Sequence, residues 1–220
     1  MKYLKLFLTI TLATLFLAGT LMAAEKTAVT ADQARKYLKD GNKRFVAAQF
    51  DNAKKSDVRR TEVAKGQKPF AIIVGCSDSR VPPGAVFDQG LGDLFVIRLA
   101  GNIVDDAALG SIEYAVEHLG APLIVVLGHQ RCGAVEAAVQ GGKLPGHLPA
   151  VVNAIKPAVA KAKGRPGNLL DNAIRANVAL VVAKLQSSAP ILATAVREGK
   201  VKVVGAYYDL DTGKVSFLPG

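Results

Sequence analysis

The chain is 220 residues long, half of them hydrophobic, with few aromatics and no Trp. That length holds one domain with a buried core, and an apolar content of mainly Ala, Val, Leu and Ile suits helices over buried strands better than a small aromatic-rich binding module. The formal net charge is +10, but the basic residues (Arg35, Lys36, Lys39, Lys43 and Arg44, then Lys54, Lys55, Arg59 and Arg60) are dispersed with acids between them, as on solvated helix faces, so no nucleic-acid partner is expected.

Lys2 and Lys5, an uncharged apolar stretch over residues 6–18, and small residues at Gly19, Ala23 and Ala24 have the layout of a secretory signal peptide over residues 1–24. The alternative is an uncleaved anchor, since residues 6–24 are free of charge and just long enough to span a bilayer. The short, Thr-rich apolar core favours cleavage, and no Cys follows it to carry a lipid. The expected mature protein is periplasmic or secreted, without stable membrane association. Taking two lysines from the 28 basic residues leaves 26 against 18 acids, a net +8.

Residues 25–66 read as an N-terminal helical arm. Thr30 can cap a helix over 31–49, where Ala34, Tyr37, Leu38, Phe45 and Val46 recur at helical spacing, and a second charged helix is expected over 58–65. An apolar stripe without a core of its own is expected to pack on a partner.

Residues 67–220 read as an α/β domain flanked by helices. Three apolar runs, 70–75, 94–99 and 123–128, are continuous rather than alternating and bounded by Gly or Pro, as in a parallel sheet covered on both faces. Helices are expected over 106–119, from near Cys132, over 148–163 and over 169–187, the last capped by Asn168. A fourth strand over 201–208 and a fifth over 215–218, joined by a turn at 211–213, read as an antiparallel hairpin. The expected sheet is mostly parallel, order 2-1-3-4, with the fifth strand as an antiparallel edge.

Cys76 ends the first strand, in Cys76-Ser77-Asp78-Ser79-Arg80, and His129 ends the third, in His129-Gln130-Arg131-Cys132-Gly133. In an open parallel sheet, sites form outside the carboxyl ends of strands where the strand order reverses, here between strands one and three. Residues two apart on an extended segment point the same way, so Cys76 and Asp78 can converge, as can His129 and Cys132 across a strand-to-helix turn. Two thiolates, an imidazole and a carboxylate form a tetrahedral zinc set. Three blander readings compete: a disulfide between Cys76 and Cys132, a buried His129 satisfied by backbone, and a structural zinc closed by four protein ligands.

Both motifs resemble the zinc motifs of the β-carbonic anhydrases. Ala100-Gly101-Asn102, Ile112-Glu113-Tyr114-Ala115 and Gly205-Ala206-Tyr207-Tyr208-Asp209 are similar to that family too, so the likeness runs from about residue 30 to the end. It implies one Zn²⁺ per chain on Cys76, His129 and Cys132, with Asp78 as fourth ligand or as an actor beside the metal. In the second role Asp78, paired with Arg80, orients a zinc-bound hydroxide for attack on carbon dioxide, giving bicarbonate and a proton. The resemblance further implies substrate contacts from Gln67, Phe95, Tyr114 and the Gly133 N–H, a pocket shared between two chains, and a homodimer or dimer of dimers embraced by the arm. Ile73 stands where one branch of the family has a Trp that helps hold inhibitory bicarbonate, which points to the plant-type branch. No proton shuttle is evident, since His118 and His147 lie outside the motifs. Competing functions are hydrolysis of carbon disulfide or carbonyl sulfide on the same scaffold, and zinc binding without catalysis.

Overall fold

In the computed structural model residues 28–219 are described, so the expected signal peptide at 1–24 lies outside the described residues. Five strands form one sheet: β1 (Ala71–Gly75), β2 (Leu94–Arg98), β3 (Leu123–His129), β4 (Lys202–Tyr208) and β5 (Val215–Phe217), in the order β2-β1-β3-β4-β5. The first four are parallel and β5 runs antiparallel to β4, as the apolar runs and the hairpin signal predict. In register, Gly75 lies beside both Arg98 and Leu127, and His129 lies beside Tyr208. From β1 the chain goes to β2 on one side and then to β3 on the other, so the crevice lies at the carboxyl ends of β1 and β3.

Every residue of β1 and β3 is buried, because helices cover both faces of the sheet. Ile72, Val74, Ile124 and Val126 face α4 (Asp106–Glu117), α7 (Leu169–Ser187) and α8 (Ile191–Arg197). Ile73, Leu123, Val125 and Leu127 face the opposite layer, which includes α1 (Ala31–Val46) and Phe87. A third cluster joins Cys76 and Cys132 to α5 (Gly133–Gln140), α6 (Leu148–Ala162) and α7. Among the described residues no single helix is long and apolar enough to cross a membrane.

Caps set the helix starts where the sequence suggests. Thr30 and Gln33 form a reciprocal capping box at α1, and the side chains of Asp105 and Asn168 accept N–H bonds at α4 and α7. Helix α1 ends at Val46 rather than Gln49, just before Ala48 takes φ 54°. Helix α2 (Asp57–Val63) starts one residue before the expected 58 because Ser56 caps it. The sequence reading passes over α3 (Pro83–Val86) and α8, whose four and seven residues are too short to show a helical period. The stripe of the arm is divided: Ala34 and Leu38 are fully buried against the chain's own sheet, while Tyr37 and Val46 remain exposed.

Two polar residues bolt α1 and the following loop to this frame. Asn42 donates to the Val86 and Gly213 carbonyls at 3.0 and 2.9 Å and accepts from the Val215 N–H at 2.8 Å. Asp88, whose side chain is fully buried, accepts from Arg44 Nε at 2.6 Å and from Lys55 Nζ and the Asp51 N–H at 3.0 Å. Burial opposes ionisation of Asp88, but the bonds from Arg44, Asp51 and Lys55 outweigh it and hold the carboxyl down at about 2. A depressed folded-state pKa stabilises the fold above the unfolded value of about 3.9, and this contribution is lost as pH falls toward 2. Asp88→Asn, which tolerates the local φ of 42°, is expected to cost about 3 kcal/mol at pH 7. Denaturant unfolding of both proteins should show that difference shrinking as pH drops from about 4 toward 2. An equal gap at both ends of that range would assign the loss to packing instead.

Candidate metal centre

Cys76 follows the last residue of β1, His129 closes β3, and Cys132 is the N-cap residue of α5. All three are buried, and their ligand atoms lie within 4.8 Å of one another. The two sulfurs are 4.0 Å apart. A disulfide would need about 2.05 Å, whereas two thiolates on one tetrahedral zinc at about 2.3 Å stand roughly 3.8 Å apart. Both cysteines are free thiols at metal-sharing distance.

The imidazole is oriented for the same role. His129 Nδ1 lies 2.9 Å from the Gln130 carbonyl, which can only accept, so Nδ1 carries the proton. Nε2 is left bare, buried and without a hydrogen-bond partner. A buried nitrogen lone pair beside two thiols is a ligand atom awaiting a cation, and this donor set suits zinc. The turn that brings Cys132 back beside His129 runs through Arg131 at φ 51°. It is tied to the turn after β4 by Arg131, which grips Asp211 at 2.9 and 2.7 Å, and by Gln130, which accepts the Leu210 N–H at 3.0 Å.

The thiols share one charge between them. Hydrogen bonding from Cys132 does most to pull the Cys76 thiol well below its usual range, against its burial, with the Gly101 N–H assisting. Cys132 is pushed up in turn, because its proton is held by Cys76 and a second thiolate would be buried beside the first. The opposite shifts describe one proton shared by two sulfurs, and a divalent cation is what would let both ionise.

Asp78 stands beside this cluster. Arg80 grips both its oxygens, Nε to Oδ1 at 2.9 Å and Nη2 to Oδ2 at 2.7 Å, and the Arg80 N–H adds a third bond at 3.0 Å. That grip is the largest cause holding the Asp78 carboxyl well below the usual carboxylate range. Asp78 Oδ2 lies 3.8 Å from His129 Nε2. Of the four candidate ligands, the structure therefore gathers three and leaves Asp78 adjacent, both its oxygens held by the guanidinium.

The candidate substrate residues are placed differently. Gly133 is the first residue of α5, directly after Cys132. Gln67 is exposed and precedes β1, so that strand separates it from Cys76 of the same chain. Phe95 pairs with Ile72 near the start of β1, and its ring centroid lies 6.3 Å from that of the half-exposed Tyr114 on α4. These three are not brought to this chain's own cluster. The sequence reading missed Arg98, which ends β2 and donates from Nε to the Cys76 carbonyl at 2.8 Å and from Nη2 to that of Asp78. A charged residue closing an apolar strand beside β1 was the signal for it. It also missed the Gly101 N–H, 3.2 Å from the Cys76 sulfur, which carries no local sign of a thiol partner.

Residues 71–215 match the family model described as carbonic anhydrase. Carbonic anhydrase 2 of Mycobacterium tuberculosis is 44% identical over 185 residues, covering 82% of this chain and 89% of that protein. Among solved structures, the Coccomyxa β-carbonic anhydrase in complex with acetazolamide aligns at a TM-score of 0.69 and 30% identity, covering 81% of this chain and 83% of that one. One from a study of two tetrameric β-carbonic anhydrases of Sordaria macrospora aligns at 0.68 and 29%, covering 73% and 86%. The match spans the sheet and both cysteine motifs, and the chain belongs to the carbonic anhydrase family, in its β class.

Proposed function

We propose that this protein is a zinc-dependent carbonic anhydrase that interconverts carbon dioxide and bicarbonate. The observation that carries the reading is the bare Nε2 of His129, buried beside two thiols 4.0 Å apart, with a carboxylate locked to arginine next to it. Cys76, His129 and Cys132 would hold zinc, whose Lewis acidity lets water lose a proton near neutral pH. Asp78, kept ionised by Arg80, is an acceptor only, so it can take one hydrogen bond from a reacting O–H and aim the oxygen. Arg80 also keeps both carboxylate oxygens turned toward itself, which leaves room for substrate at the fourth position. The Gly133 N–H offers a donor to a bicarbonate oxygen. Ile73, fully buried in β1, has no side-chain N–H with which to hold an inhibitory bicarbonate.

Carbon dioxide is uncharged, so its pocket must be mainly apolar with one or two donors. In this reading Phe95, Tyr114 and Gln67 supply those walls and a donor to the site of a partner chain, which explains why they lie away from their own cysteines. The exposed Val96 on the β2 edge and the half-exposed Tyr114 support a partner on that side. The protein then works as a homodimer or dimer of dimers, periplasmic or secreted after loss of residues 1–24.

The purified protein should contain about one zinc per chain and hydrate carbon dioxide in stopped flow between about pH 7 and 9. Cys76→Ala should lose metal and activity together. Arg80→Ala should keep its zinc while activity falls about 10- to 100-fold. A zinc-loaded protein inactive toward carbon dioxide would overturn the reading, and assays with carbonyl sulfide and carbon disulfide would then separate a hydrolase from a zinc protein without catalysis.

The shared pocket is tested by complementation. Gln67→Ala and Cys76→Ala are each expected to be impaired alone, but a mixed dimer has one site with zinc from one chain and Gln67 from the other. Co-refolding equal amounts should recover roughly a quarter of wild-type activity, since half the dimers are mixed and each has one complete site. No gain over the separate variants would confine the site to one chain.

A further inference from the structure

We infer that Asn177 is a positioning residue for the metal centre, acting through Gly101 on the Cys76 sulfur; the inference rests on the zinc-binding reading above. The two thiols stand in different local settings. Cys132 is the N-cap residue of α5, so its sulfur lies at the N-terminal end of a helix. Cys76 ends a strand and has no helix behind it. Its sulfur takes the N–H of Gly101 at 3.2 Å, from the turn that follows β2.

One backbone bond closes that turn, from the Asn102 N–H to the Leu99 carbonyl at 2.9 Å, and leaves the Gly101 peptide to be held from outside. Gly101 takes φ 68° and ψ 23°, and Asn102 follows at φ 45°. A side chain is excluded at Gly101, because a Cβ there would lie 2.6 Å from Ile155 Cδ1 and 3.3 Å from Ala134 Cβ. Glycine fits the space but brings no torsional preference for this conformation. A second anchor comes from α7: Asn177, 2% exposed, donates from Nδ2 to the Gly101 carbonyl at 2.7 Å. Helix α7 is itself fixed against the strand that carries His129, since Val178 and Ile174 press on Gly128 so closely that a Cβ would meet them at 2.5 and 3.3 Å. One buried amide thus fixes the glycine from its carbonyl side, and its N–H stays aimed at the ligand sulfur. An N–H···S bond draws electron density from the thiolate, so Asn177 sets how strongly Cys76 donates to the metal.

The test uses the whole protein loaded with cobalt(II), whose sulfur-to-metal charge-transfer band reports thiolate donation directly. Asn177→Leu keeps the shape and removes the donor. It should move that band to longer wavelength and weaken metal binding about 10-fold in chelator competition. Val181→Ala, a buried change on the same helix away from the cluster, should lower Tm but leave the band in place. A band unmoved in Asn177→Leu, or moved equally in Val181→Ala, overturns the inference while leaving the zinc reading intact. Wild-type protein that takes up no cobalt overturns both. Should Asn177→Leu not fold, wild-type protein loaded with cadmium-113 decides: the Gly101 amide proton should show scalar coupling to the metal through sulfur, and its absence overturns the proposal.

Discussion

Three ligand atoms from two separate strand ends are buried within 4.8 Å of one another, and none of the three residues is exposed enough for water to satisfy it. Two sulfurs that would both ionise repel, and an imidazole nitrogen without a partner is costly to bury. Much of the chain around the crevice serves to keep this arrangement. Arg98 ties down the carbonyls of Cys76 and Asp78, and Gly101 supplies an N–H to the Cys76 sulfur. Arg131 and Gln130 fasten the second ligand loop to the turn after β4. Each support comes from a different element, so the geometry depends on the whole sheet being in register.

Charge is handled by the same economy of parts. A cation beside them would let both thiols ionise, whereas Arg80 holds the Asp78 carboxyl well below the usual carboxylate range. The guanidinium has a further contact at 3.5 Å with the Arg131 carbonyl, which lies between the two ligands of the second loop. The two motifs are therefore coupled to each other even without metal. That coupling leaves Asp78 close to the cluster yet occupied elsewhere, the condition for a carboxylate that acts on a reacting group rather than on the metal.

The proposed division of labour between chains follows from the sheet. Helices cover both faces, and β1 and β3 lie inside, whereas β2 is an edge strand with Val96 exposed. The residues proposed to wall the substrate pocket lie on that side or before β1, whereas the metal ligands lie at the opposite, carboxyl end of β1 and β3. A parallel strand cannot bring its own start to its own end. A second copy of the chain can.

Much was legible in the sequence. Continuous β-branched runs bounded by Gly or Pro marked β1, β2 and β3, and the position of Cys76 and His129 at two run ends implied convergence, because in a parallel sheet those ends share one edge. Caps were readable at Thr30 and Asn168, since an N-cap is a local interaction within one turn. The short helices α3 and α8 were not, having too few turns for a period. Only the tertiary structure decided which part of the α1 stripe packs on the chain's own sheet, because the same stripe suits its own sheet or a partner, and it is Ala34 and Leu38 that are buried there. Only it placed Arg98, Gly101 and Asn177 around Cys76, from 22, 25 and 101 positions away in the numbering. Ligand identity is local chemistry written in two short motifs, while the polar atoms that hold those ligands are backbone groups and distant side chains whose proximity exists only once the sheet has closed.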